Sequence, residues 1–482
     1  MRRSFAFLGV ILALGSAFLL FRQALPAAQL AAEARTAVPG SSSTSSTAVI
    51  VLPFVSRSEA PTTGPTPTTG PTPTDTPGTP GIARLQVGGL GFSDTGTHQV
   101  LRTAEDRVYV FAPEIYQKYI RAYRATNIGT PTDFTEVDQA HRPTAQSAIW
   151  SLDAAIDGNN IVHLLYITQS GPVIYQTFNT TTDLWGPPTQ VANSAWPNRN
   201  NGLRQGSEGV SLAIDAGGLA HVVYGQTQSG KRRVYYNNNQ GGTWNHEVLV
   251  DDQPKGDNSH ATLAFGPDGA LYAAWLADDG THGAIRVRAY RNSAWQLASA
   301  VDANVFRDQG YSIDQGPNLL VTPDGKLHVV YIGTWESVPG SPTGTEYGRL
   351  HHKYSGDGGA TWTANDPPTL YTHSPALATD PQGNLYVFGH REYWKANRCA
   401  NMLVNVQPTG GAWGAWKTLA SGCYDSSVSA KWAQYFWNTP SVLDLVYWTE
   451  KGPQGQSDMN QLYYAEIRGG PDTINALPPA GP

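Results

Sequence analysis

Segment 209–224 reads as two short strands around a tight turn. Leu212 and Ile214 alternate with small residues, Asp215-Ala216-Gly217-Gly218 supplies the turn, and 219–224 is a β-rich run. Glycine takes φ > 0 at no steric cost, and Asp can bond its own backbone. The pattern returns at 155–166, 263–275, 320–331 and 377–388, with weaker copies around Tyr109 and Asp444, the latter lacking the turn glycine. The residue near the start of each second strand marks positions 109, 163, 221, 272, 328, 386 and 444, spaced by 54, 58, 51, 56, 58 and 58 residues. A near-constant period of strands and turns restricts the chain to a propeller, an array or a solenoid.

Each period also carries a third strand (233–236, 284–290, 350–354, 461–465) and then a Trp opening a fourth: Trp185, Trp244, Trp295, Trp362 or Trp413. Four antiparallel strands per repeat make a propeller blade. The fold class expected is all-β, a β-propeller of seven four-stranded blades closed by residues 84–95 joining the last blade. Marker-to-Trp distances of 22, 23, 23, 34 and 27 residues place extra loop between strands two and three of the fifth and sixth repeats.

Ahead of the repeats, Met1-Arg2-Arg3 precedes 18 uncharged residues, 4–21. This fits either a cleaved signal peptide, with 32–34 as a cleavage site, or a retained membrane anchor, and both send the rest of the chain across a membrane. Residues 36–82 are Ser/Thr- and then Thr/Pro-rich, with an apolar island at 49–55. Such composition buries too little apolar surface to fold, and reads as a disordered tether or a glycosylated stalk. The expected organisation is a signal or anchor helix over 1–35, linker over 36–82, propeller over 83–468 and a loose Gly/Pro-rich tail over 469–482. The location is extracellular, either free or anchored facing outward. The net charge of −6 argues against nucleic acid and anionic membrane surfaces as partners, so the membrane is met only through the N-terminal helix. No Walker, dinucleotide or zinc pattern is present in the sequence; no cofactor or metal is expected, and a monomer is. The two cysteines, Cys399 and Cys423, fall in loops that emerge on one propeller face; a disulfide between them is expected, two unrelated buried thiols being the alternative.

Ser355-Gly-Asp357-Gly-Gly359-Ala-Thr361-Trp362 has the form Ser-x-Asp-x-Gly-x-Thr-Trp, with a degraded copy at 237–244. It resembles the Asp box of the sialidase-like, BNR-repeat propellers. That resemblance implies a structural turn on the face away from any active site. It also implies two enzymatic models: a sialidase, or a polysaccharide lyase or rhamnosidase working with channel histidines. The Phe/Tyr-Arg-Ile-Pro motif of working sialidases is missing, since Arg102 and Arg107 lack its flanks. Segment 257–269, with His260, is similar to the His-bearing first strand of the lyase group.

In a propeller, the loops entering strand one and those between strands two and three surround one mouth of the channel. The first class carries His98, His260 and His373, at 11, 12 and 13 residues before their markers, with Glu208, Asp314 and Gln315. The second carries Asp278, Asp279 and His282 in the fourth repeat, Trp335, Glu336, Glu346 and Tyr347 in the fifth, and His390, Arg391, Glu392, Tyr393, Trp394 and Arg398 in the sixth. Extra loop rich in aromatic and charged residues suits a ligand site. The catalytic candidates are His260, His373, Tyr393 and Glu392; the ligand-binding candidates are His98, Trp335, Glu336, His390, Arg391 and Arg398. Two plainer readings stand beside these: histidines that only hydrogen-bond within the channel, and a surface ion-pair network around Arg391. The expected partner is carbohydrate, including anionic polysaccharide, bound or cleaved at the mouth of blades four to six. Whether the chain is an enzyme stays open, a non-catalytic glycan- or protein-binding propeller being the alternative.

Overall fold

The computed structural model describes residues 81–88, 98–113, 118–145, 149–168, 170–192, 210–252, 256–278, 281–305, 316–337, 346–372, 375–390, 401–420, 442–449 and 461–480. The expected anchor and linker, together with His373, Arg391, Glu392, Tyr393, Arg398, Cys399 and Cys423, lie outside them. Among the described residues no helix is long and apolar enough to cross a membrane.

The chain is an all-β propeller. Sheet one is Gln99–Arg102, Val108–Pro113, Ile120–Ala125 and Phe134–Val137; sheet two is Ile149–Ile156, Ile161–Thr168 and Val173–Asn179, with Leu184–Trp185 and Thr189–Ala192 both on the third strand. Sheet three is Ser211–Ile214, Ala220–Gln228, Lys231–Asn238 and Val248–Leu249; sheet four is Asn258–Phe265, Leu271–Asp278 and Gly283–Arg291, with Ala294–Trp295 and Ser299–Val305 both on the third. Sheet five is Asn318–Val321, Leu327–Ser337, Glu346–Ser355 and Thr363–Ala364; sheet six is Ala376–Thr379, Leu385–His390, Met402–Gln407 and Lys417–Ala420. The last sheet has three strands: Val442–Thr449, Gln461–Arg468 and, beside the latter, Gly81–Gly88. Six sheets, not the expected seven, therefore have a full complement of four or more strands among the described residues. The remaining place in the ring is shared between two segments of the chain far apart in sequence.

All seven marker positions fall at the second or third residue of one strand per sheet. That strand is packed on both faces by neighbouring sheets, which is why it reads as a continuous apolar run, as in the fully buried Leu271–Asp278. The third strand alternates instead, as in Gly283–Arg291. Each of three hairpin turns is tied by its Asp. The Asp157 carboxylate accepts the Asn159 and Ile161 amides at 2.9 and 2.8 Å, Asp215 those of Gly217 and Leu219 at 2.8 Å, and Asp380 those of Gln382 and Asn384 at 3.0 and 2.9 Å. The marker then reaches the same carboxylate: Tyr386 donates to Asp380 at 2.8 Å, and His163 and His221 lie 3.5 Å from Asp157 and Asp215. These marker histidines thus serve the fold.

Apolar clusters fill the spaces between neighbouring sheets, and an aromatic at the outer strand reaches back into each preceding sheet. Trp185 meets Phe111 edge-on at 5.7 Å, Trp244 lies 4.9 Å from Tyr175 and Trp295 lies 5.3 Å from Tyr236. The Trp362 indole donates to Ser299 Oγ at 3.1 Å and Trp413 to the Asn365 carbonyl at 2.7 Å. Phe134 performs the same role from sheet one, 5.3 Å from Tyr464.

Residues 84–88 do join the last sheet, in antiparallel register with Gln461–Arg468. Beside this seam the fully buried Arg102 places Nε 2.7 Å and Nη2 2.5 Å from the two oxygens of Asp444, and Nη2 2.8 Å from Glu466; Nη1 reaches Asp106 at 2.6 Å. Burial opposes the guanidinium charge, but Asp444 and its neighbours outweigh it and hold the group protonated well above its ordinary range. Arg102 is therefore a structural cation.

The loose tail expected at 469–482 is corrected. A short helix, Pro471–Asn475, buries Ile474 completely, Thr418 N donates to Pro478 O at 2.9 Å, and Ala480 N donates to Trp416 O at 2.9 Å. The tail pairs along the outer edge of sheet six, where unpaired backbone groups would otherwise face solvent.

These contacts give two expected outcomes. Arg102→Met leaves Asp444 buried without its cation, while Glu466 keeps Arg468, and should cost about 3–5 kcal/mol in urea unfolding. The second concerns His328 and His352, stacked at 5.3 Å with His328 Nδ1 3.1 Å from His352 Nε2, while His352 Nδ1 faces the Asn365 carbonyl at 2.8 Å. Burial and the facing His352 push His328 down to about 3, and burial pushes His352 down to about 4. Both groups bind protons more readily in the unfolded chain, whose histidines titrate near about 6.5. Their contribution is therefore complete above about pH 6.5 and falls with acidification toward about pH 4 and 3. A His328→Gln variant should show a shallower loss of stability across that window.

Candidate functional site

The connections entering strand one and those between strands two and three share one end of the ring. At that end of sheet four, Asn258, Ser259 and His260 open the first strand, and Asp278 closes the second; all four are buried, while His282 is exposed.

The local backbone departs from a regular ladder. Ser259 pairs with Leu276, but the next pair is Thr262 with Ala274, so the first strand spends three residues where its partner spends two. This is a β-bulge, and His260 occupies it with φ of 56°. The other seven non-glycine residues with positive φ among those described lie outside strands. Glycine is the residue that takes such a bulge position freely. Histidine there costs on the order of 1–3 kcal/mol of local strain. In exchange, the bulge re-aims the imidazole out of the alternation of the strand, and Nδ1 lies 2.7 Å from Ser259 Oγ.

Neighbouring inner strands are stitched by polar groups at the same level. Gln99 Nε2 donates to the Leu152 carbonyl at 3.0 Å, joining sheets one and two. The buried Asp153 carboxylate accepts Ser211 Oγ at 3.0 Å and Leu212 N at 2.8 Å, joining sheets two and three. Ser211 Oγ also accepts Leu263 N at 3.0 Å, joining three and four. Backbone close approach continues this packing: a Cβ on Gly256 would fall 1.5 Å from the Asp278 carbonyl oxygen, and one on Gly316 would fall 2.3 Å from His260 Cβ.

Of the sequence candidates, His260 is at the bulge and His98 is fully buried immediately before the first strand of sheet one. Trp335 and Glu336 were expected in a loop, but a register shift after Ile332 extends the hairpin, so that Trp335 pairs with Gly348 and Glu336 with Tyr347. Part of the extra length in the fifth repeat is thus strand. His390 ends the second strand of sheet six, paired with Met402. Missed in the sequence were Ser211, Asp153, Gly256 and Gly316. The glycines were the available signal, since each stands where a strand is about to start.

The turn at 355–362 lies at the opposite end of sheet five. Ser355 Oγ donates to Asp357 at 2.7 Å and accepts the Gly359 amide at 2.8 Å; Asp357 accepts Thr361 N at 2.9 Å and Thr361 Oγ1 at 2.6 Å. Hydrogen bonds from Thr361 and Ser355 hold this carboxyl well below its usual range. Gly359 takes φ of 94°, and the polar groups of the turn are spent on its own backbone and side chains. Among the described residues no group of three or more His, Cys, Asp or Glu could hold a metal ion.

No protein family model and no curated protein matches this chain. Solved structures similar to it include the polysaccharide lyase Uly1, at 13% identity over 78% of this chain and 90% of that one, with a TM-score of 0.45. An α-L-arabinofuranosidase from Fusarium graminearum is 12% identical over 69% of this chain and 94% of its own, with a TM-score of 0.40. The Trypanosoma rangeli sialidase is 10% identical over 81% of this chain and 60% of its own, with a TM-score of 0.41.

Ser211→Ala tests the stitch. It takes the Ser211 acceptor from the Leu263 amide, while Asp153 keeps the Leu212 amide, and chemical denaturation should show a loss of about 1–3 kcal/mol.

Proposed function

We propose that this propeller is sialidase-like and engages carbohydrate at the end of the ring formed by sheets four to six, where sheet four carries His260, acting on an anionic polysaccharide. The observation that carries the reading is the histidine held in a left-handed bulge where glycine would be free of strain. Strain of this kind persists where the side chain is needed. A neutral imidazole can take the proton beside a uronate carboxylate; the electron pair then forms the ring double bond as the neighbouring glycosidic C–O bond breaks, and the departing oxygen takes a proton from Tyr393, the sequence candidate, or from water. A guanidinium can neutralise the carboxylate through two parallel hydrogen bonds, for which Arg391 and Arg398 are the candidates. In this reading 355–362 is an Asp box with a purely structural role, the protein is exported and tethered through 36–82, and it works as a monomer.

The test is a screen of the purified protein against polygalacturonate, alginate, ulvan and hyaluronan, following both new reducing ends and unsaturated uronate absorbance. His260→Ala should abolish turnover and spare most binding. Arg391→Lys should weaken binding nearly as much as Arg391→Ala, because Lys cannot reproduce the planar match; the loss is roughly tenfold to a hundredfold. Binding without turnover selects a non-catalytic lectin. Arginine variants that bind every glycan as the parent does would remove the sixth sheet from the site.

A further inference from the structure

We propose that Gly316, which belongs to the neighbouring sheet, is a positioning residue for His260: its missing side chain is the space in which the imidazole is held. This rests on the role given to His260 above and adds to it the element that fixes the ring. A Cβ built on Gly316 would lie 2.3 Å from His260 Cβ, 3.0 Å from Cγ and 3.2 Å from Cδ2. The backbone of Gly316 therefore lies along one edge of the histidine, from Cβ to Cδ2. On the other edge, Nδ1 meets Ser259 Oγ at 2.7 Å. The ring is gripped between a residue of its own strand and a bare backbone from the next sheet, and both His260 and Gly316 are at the same end of the ring.

Glycine at 316 is explained by space and not by backbone conformation. Gly316 is absent from the positive-φ glycines, and the three atoms nearest to a side chain there all belong to the histidine. Contacts under 3.0 Å do not occur for real Cβ atoms. A methyl group there must push either the imidazole or the start of Asn318–Val321 aside. Because the 2.3 Å contact is to His260 Cβ, which rotation about χ1 leaves in place, the two backbones must separate there and carry the imidazole with them. The coupling runs between sheets: any shift of sheet five against sheet four is felt first at the imidazole. Misplacement of a reacting group by about 1 Å is worth on the order of a hundredfold in rate.

The experiment compares the parent, Gly316→Ala, His260→Ala, His260→Gly and the double variant Gly316→Ala/His260→Gly, using the full chain. Nitrogen NMR of the histidine rings, with His260→Ala to assign the signal, reads tautomer and titration midpoint directly. Gly316→Ala should move the His260 signals and leave those of the buried pair His328 and His352 in place. In thermal unfolding, Gly316→Ala should lower the midpoint of the parent and lower that of the His260→Gly protein far less, since glycine removes the Cβ at the centre of the clash. On any polysaccharide the parent turns over, Gly316→Ala should cut turnover roughly a hundredfold with little change in KM. An unmoved His260 signal, or an equal destabilisation with and without the histidine, overturns the positioning role. If Gly316→Ala alone fails to fold while the double variant folds, the clash stands. A moved signal in a protein that cleaves none of the four polysaccharides overturns the catalytic reading while leaving the grip on the ring intact.

Discussion

A ring of sheets has no end of its own, and the hardest contact to make is the one that joins its last member to its first. Here two interactions share that burden. Gly81–Gly88 pairs with Gln461–Arg468 through backbone hydrogen bonds, and Arg102 sits buried against Asp444 and Glu466, residues separated from it by 342 and 364 positions. The first contact supplies register and the second supplies identity: a guanidinium with two carboxylates accepts few alternatives, and burial penalises every unmatched arrangement. The aromatic side chains that reach back from each outer strand depend on this closure, because Phe134 can meet Tyr464 only if the ring is complete.

The repeat was legible because each hairpin carries the same local chemistry. Asp in the turn, glycine after it and a polar-tipped aromatic or His on the next strand are determined within a dozen residues, and the hydrogen bonds of Asp157, Asp215 and Asp380 explain why those types recur. Five of the reach-back aromatics were visible as Trp; the sixth was hidden because Phe134 is a different residue serving the same place. The closing strand of the last sheet was legible too, since 84–95 was expected to join it and Gly81–Gly88 does; that sheet has three strands among the described residues. The tail was misread: Gly and Pro suggest looseness, yet Pro478 and Ala480 need only present a carbonyl and an amide to an open edge.

The candidate site was legible in part. His260 could be picked out by its distance from a marker, but its strain could not, because a one-residue bulge is a matter of pairing with Leu271–Asp278. The inter-sheet partners of the site escaped for the same reason. Ser211 bridges Asp153 and Leu263 across three sheets, and no window of local sequence contains that relation. A turn carboxylate beside each of the marker histidines His163 and His221 sets them apart from His260.

The seam also sets an order of events in time. The partner of Gly81–Gly88 is among the last of the strands to be made, so a ribosome adding about 5–20 residues each second leaves the early strand waiting for tens of seconds. Over that interval the inner sheets can assemble on one another, while Arg102 has neither Asp444 nor Glu466 to meet. Sheet one therefore waits with an uncovered flank, and with Asp106 alone of its three carboxylates beside Arg102, until the last sheet is made.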